Sequence, residues 1–359
     1  PFEPRPAVKL ISRDSLVTTP SNTNPHTTQP NRAAQETLVG VDIKLLEELC
    51  AKTLDHTEFT GLGDRHVGKV RDSYVKGDER NIVVTDRVSS FDVVIGTLPL
   101  KGQVLNQSAA FWFDRITGAI DHHVIDVPDP NVTRVRNCEL LPVEFVYRGY
   151  LTGSTSTSIW TAYDSGKRSY CGHELADGMQ RHEKLPEPLL TPTTKADFGQ
   201  HDELTSREEL ISLGAISEAQ YDRAAEIAKK LFTIGTEFAA SRGLILVDTK
   251  YEMGLGKNGE IIVIDEIHTP DSSRYWYLDD YEKALSEGRN PGAIDKEYVR
   301  QWLGEQGYKG DGPPPALPIE VRCEASRRYI EAYELISGKP FEPNLDEPIA
   351  RIKQNLGAS

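Results

Sequence analysis

The sequence predicts a chain of the α+β class. Three observations predict it. From Val67 to Val94 the residues alternate or are β-branched, as strands do. A second strand pair, "LILVDTKYE" and "IIVIDEIH", is joined by "MGLGKNGE". Between these regions, residues 217–243 repeat apolar positions at three and four residues, which predicts a helix ended by Gly243.

In chain order, residues 1–38 stand apart. "SLVTTPSNTNPHTTQPNRAAQ" is rich in Ser, Thr, Asn and Pro and contains no acid from Ser15 to Gln35. Such a segment cannot bury enough apolar surface to order itself. It reads as a disordered tail or as the remnant of an organellar transit peptide, which is Ser-rich and acid-poor. "VDIKLLEELCAKTL" (41–54) sets Val41, Leu45, Leu46, Leu49 and Leu54 near helical spacing, as a short amphipathic helix. "VRDSYV", the charged turn "KGDER" and "NIVVTD" read as strand, turn and strand, and "LPVEFVYR" (141–148) as a buried strand. Residues 186–206 are expected to form a long polar loop, and helices are expected near 295–304 and 320–337. The chain divides into two expected lobes, 39–145 and 146–359.

The chain of 359 residues is 38% hydrophobic, enough for a sizeable core, and carries a formal charge of −14. That balance argues against a nucleic-acid partner, since phosphate backbones select basic surfaces. No apolar run is long enough to span a membrane. Cys50, Cys138, Cys171 and Cys323 show no CxxC spacing and read as reduced thiols. Asn106 and Asn131 lie in N-x-[ST] triplets, read as coincidental.

"GLGDRHVGKVRDSYV" (61–75) holds a Gly-Lys pair one residue short of P-loop spacing, with Val70 where Ser or Thr belongs. A P-loop runs from strand to helix, so that helix amides hold the phosphates. Here the next element is a strand. The alternative is a glycine-containing β-hairpin closing over a triphosphate, with Lys69 reaching inward. In the later strand pair, an Asn258-Gly259 two-residue turn sets Glu252 opposite Asp265. Asp248, Lys250 and Glu252 then share one face. Opposed carboxylates repel unless a cation lies between them, and all-oxygen ligands suit Mg²⁺. A lysine hairpin and a distant carboxylate pair together make a two-lobed ATP site. The histidines at 122, 123 and 268 have no metal-ligand company in the sequence.

Six ordered blocks, "GKVRDSY", "TDRVSSFD", "FVYRGYLTGS", "TPTTKAD", "LVDTKYEMG" and "DEIHTPDSSRYW", resemble the phosphoribosylaminoimidazole-succinocarboxamide synthase (SAICAR synthetase) family. The resemblance runs from about Gly63 into the C-terminal region. It implies a small antiparallel β lobe over a larger α+β lobe, with ATP in the cleft between. It also implies ligation of L-aspartate to the carboxylate of the imidazole nucleotide CAIR, through an acyl phosphate, to give SAICAR, ADP and phosphate. Residue by residue, Gly68 and Lys69 resemble the phosphate-contacting lid, and Glu252 and Asp265 the carboxylates of the nucleotide's Mg²⁺. Arg148 and Ser154 look like contacts to the CAIR phosphate. Lys250, Asp271, Ser272 and Arg274 match the block lining the imidazole nucleotide, and Lys195 would help neutralise the gathered anions. Lys250, Lys195 and Asp271 are thereby the expected catalytic groups. Ser89, Ser90 and Asp92 are expected aspartate or nucleotide contacts, and Glu144 marks the inter-lobe segment beside adenine.

Two rivals stay open at this point. A kinase-like phosphotransferase needs an HRD-type block, which this sequence lacks. A nucleotide-binding regulatory module without turnover has no need of Arg148, Ser154 and Arg274. The expected partners are small molecules, the chain a monomer or homodimer, and the compartment the chloroplast stroma or, without a transit peptide, the cytoplasm.

Overall fold

The computed structural model describes residues 41–91, 93–155, 157–195, 203–294 and 297–358. The expected tail, 1–38, and Asp92 lie outside the described residues. Helix α1 (Ile43–Leu49) leads into strands β1 (Asp64–Val67), β2 (Arg71–Lys76), β3 (Glu79–Val84), β4 (Arg87–Ser90) and β5 (Val93–Thr97). Next come α2 (Lys101–Ile116), β6 (Val124–Asp129), β7 (Val132–Arg136) and the long β8 (Glu139–Tyr150). After them lie α3 (Ile159–Asp164), β9 (Ser169–Tyr170), β10 (His173–Glu174), β11 (Lys184–Thr194), α4 (Arg207–Ser212) and α5 (Glu218–Ser241). The chain continues through β12 (Leu244–Leu255), β13 (Ile261–Ile264), β14 (Ser273–Tyr277), α6 (Leu278–Ser286), α7 (Glu297–Glu305), α8 (Ile319–Ser337) and α9 (Pro348–Leu356). Among the described residues no helix is long and apolar enough to cross a membrane.

Two antiparallel sheets organise these elements. The first has the order β1-β2-β3-β7-β6, and the second β11-β8-β12-β13. Strand β14 shares the outer edge of β12 with β13: it pairs residues 244–249, and β13 pairs 252–255. The segment 265–272 therefore leaves the sheet opposite the middle of β12, beside Lys250. The α+β expectation holds.

Helix α5 covers one face of the second sheet. Ser217 and Gln220 form a capping box at its start, and Gly243, at φ +72°, comes directly after its C-cap Arg242. Tyr221, Ala224, Ile227, Ala228, Leu231 and Phe232 bury one stripe of it. Phe145 packs on Tyr221 at 5.5 Å and Tyr147 stacks on Phe232 at 5.1 Å. Because strand side chains alternate, this packing turns Glu144 and Arg148 to the opposite face.

The first sheet is closed by the end of the chain. Ile352 of α9 joins Leu54, Phe59, Tyr74, Val83 and Val132 in one apolar cluster. Arg351 Nε lies 3.0 Å from Asp129 Oδ2, with both side chains buried. A third cluster packs α8 against α1 and the start of α2.

Two local expectations change. Much of the stretch from 186, expected as loop, is strand β11, bulged between Lys184 and Leu189. Its three prolines are compatible because β11 is an edge strand, where one row of amides needs no ladder partner. The second difference is the β12–β13 turn. Gly256 N donates to Glu260 O at 2.8 Å, so Lys257, Asn258 and Gly259 form a three-residue loop, with Gly259 at φ +80°. The register moves by one: Glu252 faces Ile264, not Asp265. The two N-x-[ST] asparagines, Asn106 and Asn131, are buried.

Candidate functional site

The face of the second sheet turned away from α5 carries the charges. Lys250 Nζ lies 2.7 Å from Glu252 Oε1, two residues along β12, and 2.7 Å from Glu144 Oε1 on β8. Lys195, just beyond β11, pairs with the other oxygen of Glu252. Glu144 and Glu252 are cross-strand partners. Burial opposes charge on Glu252, yet Lys250 and Lys195 outweigh it and hold the carboxyl well below its usual range. Burial also opposes charge on Lys250, and the facing carboxylates of Glu252, Glu144 and Asp265 hold it well above the usual lysine range. Lys250 keeps a third of its side chain exposed, so this ammonium faces an opening.

Asp265 reaches the same place by another route. Continuing β13 would turn it to the helix side, since one residue of register reverses the face. It instead sits at φ +64°, left-handed for a non-glycine residue, and its side chain turns back. Arg71 Nη1 lies 2.5 Å from Asp265 Oδ1, and Nη2 2.6 Å from Glu266 Oε1. Burial raises the Asp265 pKa; Arg71 opposes that, while Glu252 and Glu266 add to it. Glu252, Asp265 and Lys195 line a cavity of about 250 Å³ with Ile82, His123, Val135 and Leu140, where the two sheets meet. Among the described residues no group of three or more His, Cys, Asp or Glu side chains is arranged to hold a metal.

His268 braces this loop from below. Its Nε2 shares a hydrogen bond of 2.6 Å with Tyr251 Oη, and its carbonyl accepts from Tyr275 Oη at 2.7 Å. The ring centroid lies 4.5 Å from that of Trp112. A Cβ at position 235 would come within 2.5 Å of the His268 ring, so Gly235 in α5 admits the histidine. Complete burial lowers its pKa to about 3, leaving it neutral.

At the other end of β12, Asp248 pairs in register with Arg148 of β8 and Arg274 of β14. Arg274 Nη1 donates to Asp248 Oδ2 at 3.2 Å, and Arg148 Nε to Thr191 Oγ1 at 2.9 Å. Ser154 and Arg274 line a second cavity with Thr152, Gly153, Arg181 and His182. Gly153, at φ +114° and with Ser158 Cβ 2.3 Å from any added Cβ, is required by that loop. Ser272 lies in a turn whose carbonyl accepts from Lys250 N at 3.0 Å. Asp271, in the same turn, accepts from Lys101 Nζ at 2.8 Å and from Tyr329 Oη at 2.5 Å.

The Gly-Lys stretch is a hairpin, not a strand-to-helix turn. Val67 pairs with Asp72, and Gly68 N donates to Arg71 O at 2.8 Å. Buried Arg87 pins it: Nε donates to Lys69 O and Nη2 to Gly68 O, each at 3.0 Å, and Nη2 lies 2.7 Å from Asp72 Oδ1. Lys69 is half-buried at the tip and is not among the residues lining the first cavity. Ser89 and Ser90 lie on β4 and line neither cavity; the buried Ser90 hydroxyl has no hydrogen-bond partner among the described residues.

The structure thus brings together Glu144, Lys195, Lys250, Glu252 and Asp265, and separately Ser154 and Arg274 with Arg148 beside them. The sequence reading missed Arg71, Lys101, Arg181 and Asp248 as site residues. Arg71 had a signal, two residues from Lys69 on an alternating strand.

The family model of SAICAR synthetase matches residues 64–315. The phosphoribosylaminoimidazole-succinocarboxamide synthase of Bacteroides thetaiotaomicron is 46% identical over 312 residues, covering 85% of this chain and 98% of its own. The corresponding chloroplastic enzyme of Arabidopsis thaliana is 44% identical over 299 residues, covering 82% of this chain and 72% of its own. Among solved structures, the SAICAR synthase of Saccharomyces cerevisiae complexed with SAICAR superposes with a TM-score of 0.70 at 30% identity, over 81% of this chain and all of that one. The two-lobed fold, the charged sheet face and these matches agree: the chain belongs to the SAICAR synthetase family and is a ligase of purine biosynthesis.

Proposed function

We propose that the cavity between the two sheets binds ATP and the end of β12 near Ser154 binds the imidazole nucleotide CAIR. The observation that carries this reading is the layout of β12. Glu252 lines one cavity, Arg274 beside Asp248 lines the other, and Lys250 lies between. Residues 39–145, closed by α9, then supply the lid lobe and the rest of 146–359 the substrate lobe, with β8 running from one into the other. Arg148, Ser154 and Arg274 hold the phosphomonoester, since guanidinium forks and a hydroxyl match its oxygens. Ser272 borders the imidazole. Gly68 and Lys69 close over the triphosphate, and Ser89, Ser90 and Asp92 are kept as aspartate or nucleotide contacts.

A carboxylate is a poor electrophile. Its oxygen attacks the γ-phosphorus of ATP, ADP leaves, and the acyl phosphate accepts the amine of L-aspartate as phosphate departs. Three anions must meet in one cleft, so positioning and charge neutralisation supply most of the catalysis. Lys250 and Lys195 provide cations at the centre, and Glu144 and Glu252 fix the Lys250 ammonium. Arg71 holds Asp265 in place.

Glu252 and Asp265 fit a nucleotide-borne Mg²⁺: both are oxygen donors on one cavity, and Mg²⁺ in such sites takes one or two carboxylates besides phosphate oxygens. That ion would neutralise the phosphates.

The plastid is the proposed compartment. The Arabidopsis relative is described as chloroplastic, and residues 15–35 are rich in hydroxyl side chains and free of acid, in keeping with a transit-peptide remnant. The test of function is ADP release from the purified chain. Release is expected only when ATP, CAIR and aspartate are all present. Release without CAIR would replace this reading with a phosphotransferase.

A further inference from the structure

Lys101 is the first residue of α2, and its side chain is fully buried. The position is unfavourable twice over for an ammonium. Burial takes the group out of water, and a helix N-terminus already carries partial positive charge. No step of the proposed ligation uses it. The residue is nevertheless held firmly in place. Leu100, just before it, sits at φ +66°, left-handed and without a side-chain cap. Gly102 N donates to Asp86 Oδ1 at 2.8 Å. A Cβ at Gly102 would lie 2.3 Å from Val84 O and 2.5 Å from Asn131 Nδ2. The start of α2 is therefore pressed against β3, and the lysine is directed at a fixed point.

That point is Asp271. Its Oδ2 is 2.8 Å from Lys101 Nζ, and its Oδ1 accepts from Tyr329 of α8 at 2.5 Å. Lys101 Nζ also lies 5.4 Å from the Tyr329 ring centroid, a cation–π contact. Asp271 belongs to the turn 269–273, where Ser273 N donates to Thr269 O at 2.9 Å. Two substrate-facing groups hang from this turn. Ser272 O accepts from Lys250 N at 3.0 Å, and Arg274, the second residue of β14, donates to Asp248. Two helices that line neither of these cavities thus grip Asp271, a carboxylate of that turn.

We propose that Lys101 is a positioning residue for the nucleotide-binding reaction: through Asp271, and with Tyr329, it sets the 269–274 turn so that Ser272 and Arg274 meet the imidazole nucleotide. This rests on the reading of Ser272 and Arg274 as contacts to that substrate. Asp271 then acts as the anchor of the turn rather than as a group touching the reacting atoms. The placement also makes the nucleotide site depend on α8.

The test is steady-state kinetics of Lys101→Met and Tyr329→Phe, with Arg274→Met as reference, each measured well below its own unfolding midpoint. Lys101→Met is expected to raise the KM for CAIR about tenfold, equivalent to about 1.4 kcal/mol, with the KM for ATP within about twofold of the parent. Tyr329→Phe, which deletes one hydroxyl and keeps the ring, is expected to move the same constant about threefold in the same direction. A strut that only stabilises the fold would lower the midpoint and leave both constants unchanged, and that result overturns the proposal. So does an equal rise in both constants. Should Lys101→Met fail to fold, Tyr329→Phe decides alone: a selective rise supports the proposal, no change overturns it. If Arg274→Met raises the KM for CAIR while the other two do not, only the Lys101 proposal fails. If Arg274→Met leaves it unchanged, the reading of the turn as a nucleotide contact fails, and the proposal with it.

Discussion

The two faces of β12 use adjacent residues for opposite purposes. Tyr251 and Met253 are fully buried against α5, in a core that includes Phe145, Tyr147 and Phe232. Lys250 and Glu252, one residue away on the same strand, are turned to the cleft and share an ion-paired cluster with Glu144 and Lys195. Burial of a large apolar side chain contributes about 1.5–3 kcal/mol. A buried ion pair contributes little net stability, because desolvation offsets its attraction. The helix face thus holds the strand in place, and the cleft face can carry closely packed charge without having to stabilise anything. Stability and chemistry should be separable by a shift of one residue.

Four measurements test that separation. Met253→Ala should cost about 3 kcal/mol of unfolding free energy, by transfer and cavity terms, with KM values unchanged. A large change in KM would mean that the faces are coupled. Glu252→Gln keeps the shape and removes one charge. Turnover should fall about a hundredfold, close to 2.7 kcal/mol of barrier, with partial rescue by raised Mg²⁺; the loss of stability should be no larger than that of Met253→Ala, because Lys250 keeps Glu144 as a partner. Wild-type turnover in this variant would leave the Glu252–Lys250 cluster with a structural role only.

The third concerns pH. His268 is neutral in the folded state, with a pKa of about 3. In the unfolded chain it titrates near 6.5. Between those values unfolding takes up a proton, so the folded state loses stability as pH falls from about 6.5 toward 3. Urea unfolding at pH 7 and pH 5 should show the parent losing up to about 2 kcal/mol more than His268→Gln over that interval. Parallel losses would remove His268 as the cause.

The smallest effects come as a crossed pair. Lys69→Met should raise the KM for ATP about tenfold, and Arg148→Met that for CAIR by a similar factor, each worth roughly 1.4 kcal/mol. Each variant should leave the other constant nearly unchanged. The reverse pattern would mean that the two phosphate sites are exchanged.

How far these positions could be read from sequence depended on the range of the interaction. The hairpin at Gly68 was legible because a strand-like run, and no helical one, comes next in the chain. The capped helix at 217–243 was legible because its signals are local. The β12–β13 register was off by one because Asn-Gly also serves a three-residue loop, where Gly259 alone takes the left-handed position. Asp265 still reached the cavity of Glu252, through a backbone conformation that no period-two pattern encodes. Lys101 and Arg181 were invisible as site residues for a different reason. Their partners or cavities are built by strands and helices distant in sequence, as with Asp271, 170 positions after Lys101.

Arg351 meets Asp129 across 222 residues of chain. During synthesis, β6 and its neighbours leave the ribosome long before α9 exists. Until then the apolar cluster around Tyr74 and Val132 lacks Ile352, and Asp129 lacks its cation. Long-range closure of this kind slows folding and leaves apolar surface uncovered in the interim. The nascent first sheet should therefore remain open to protease on stalled chains that end before residue 348, and become resistant once α9 has emerged. The sheet proposed to close over ATP would then be assembled last, although most of it is encoded first.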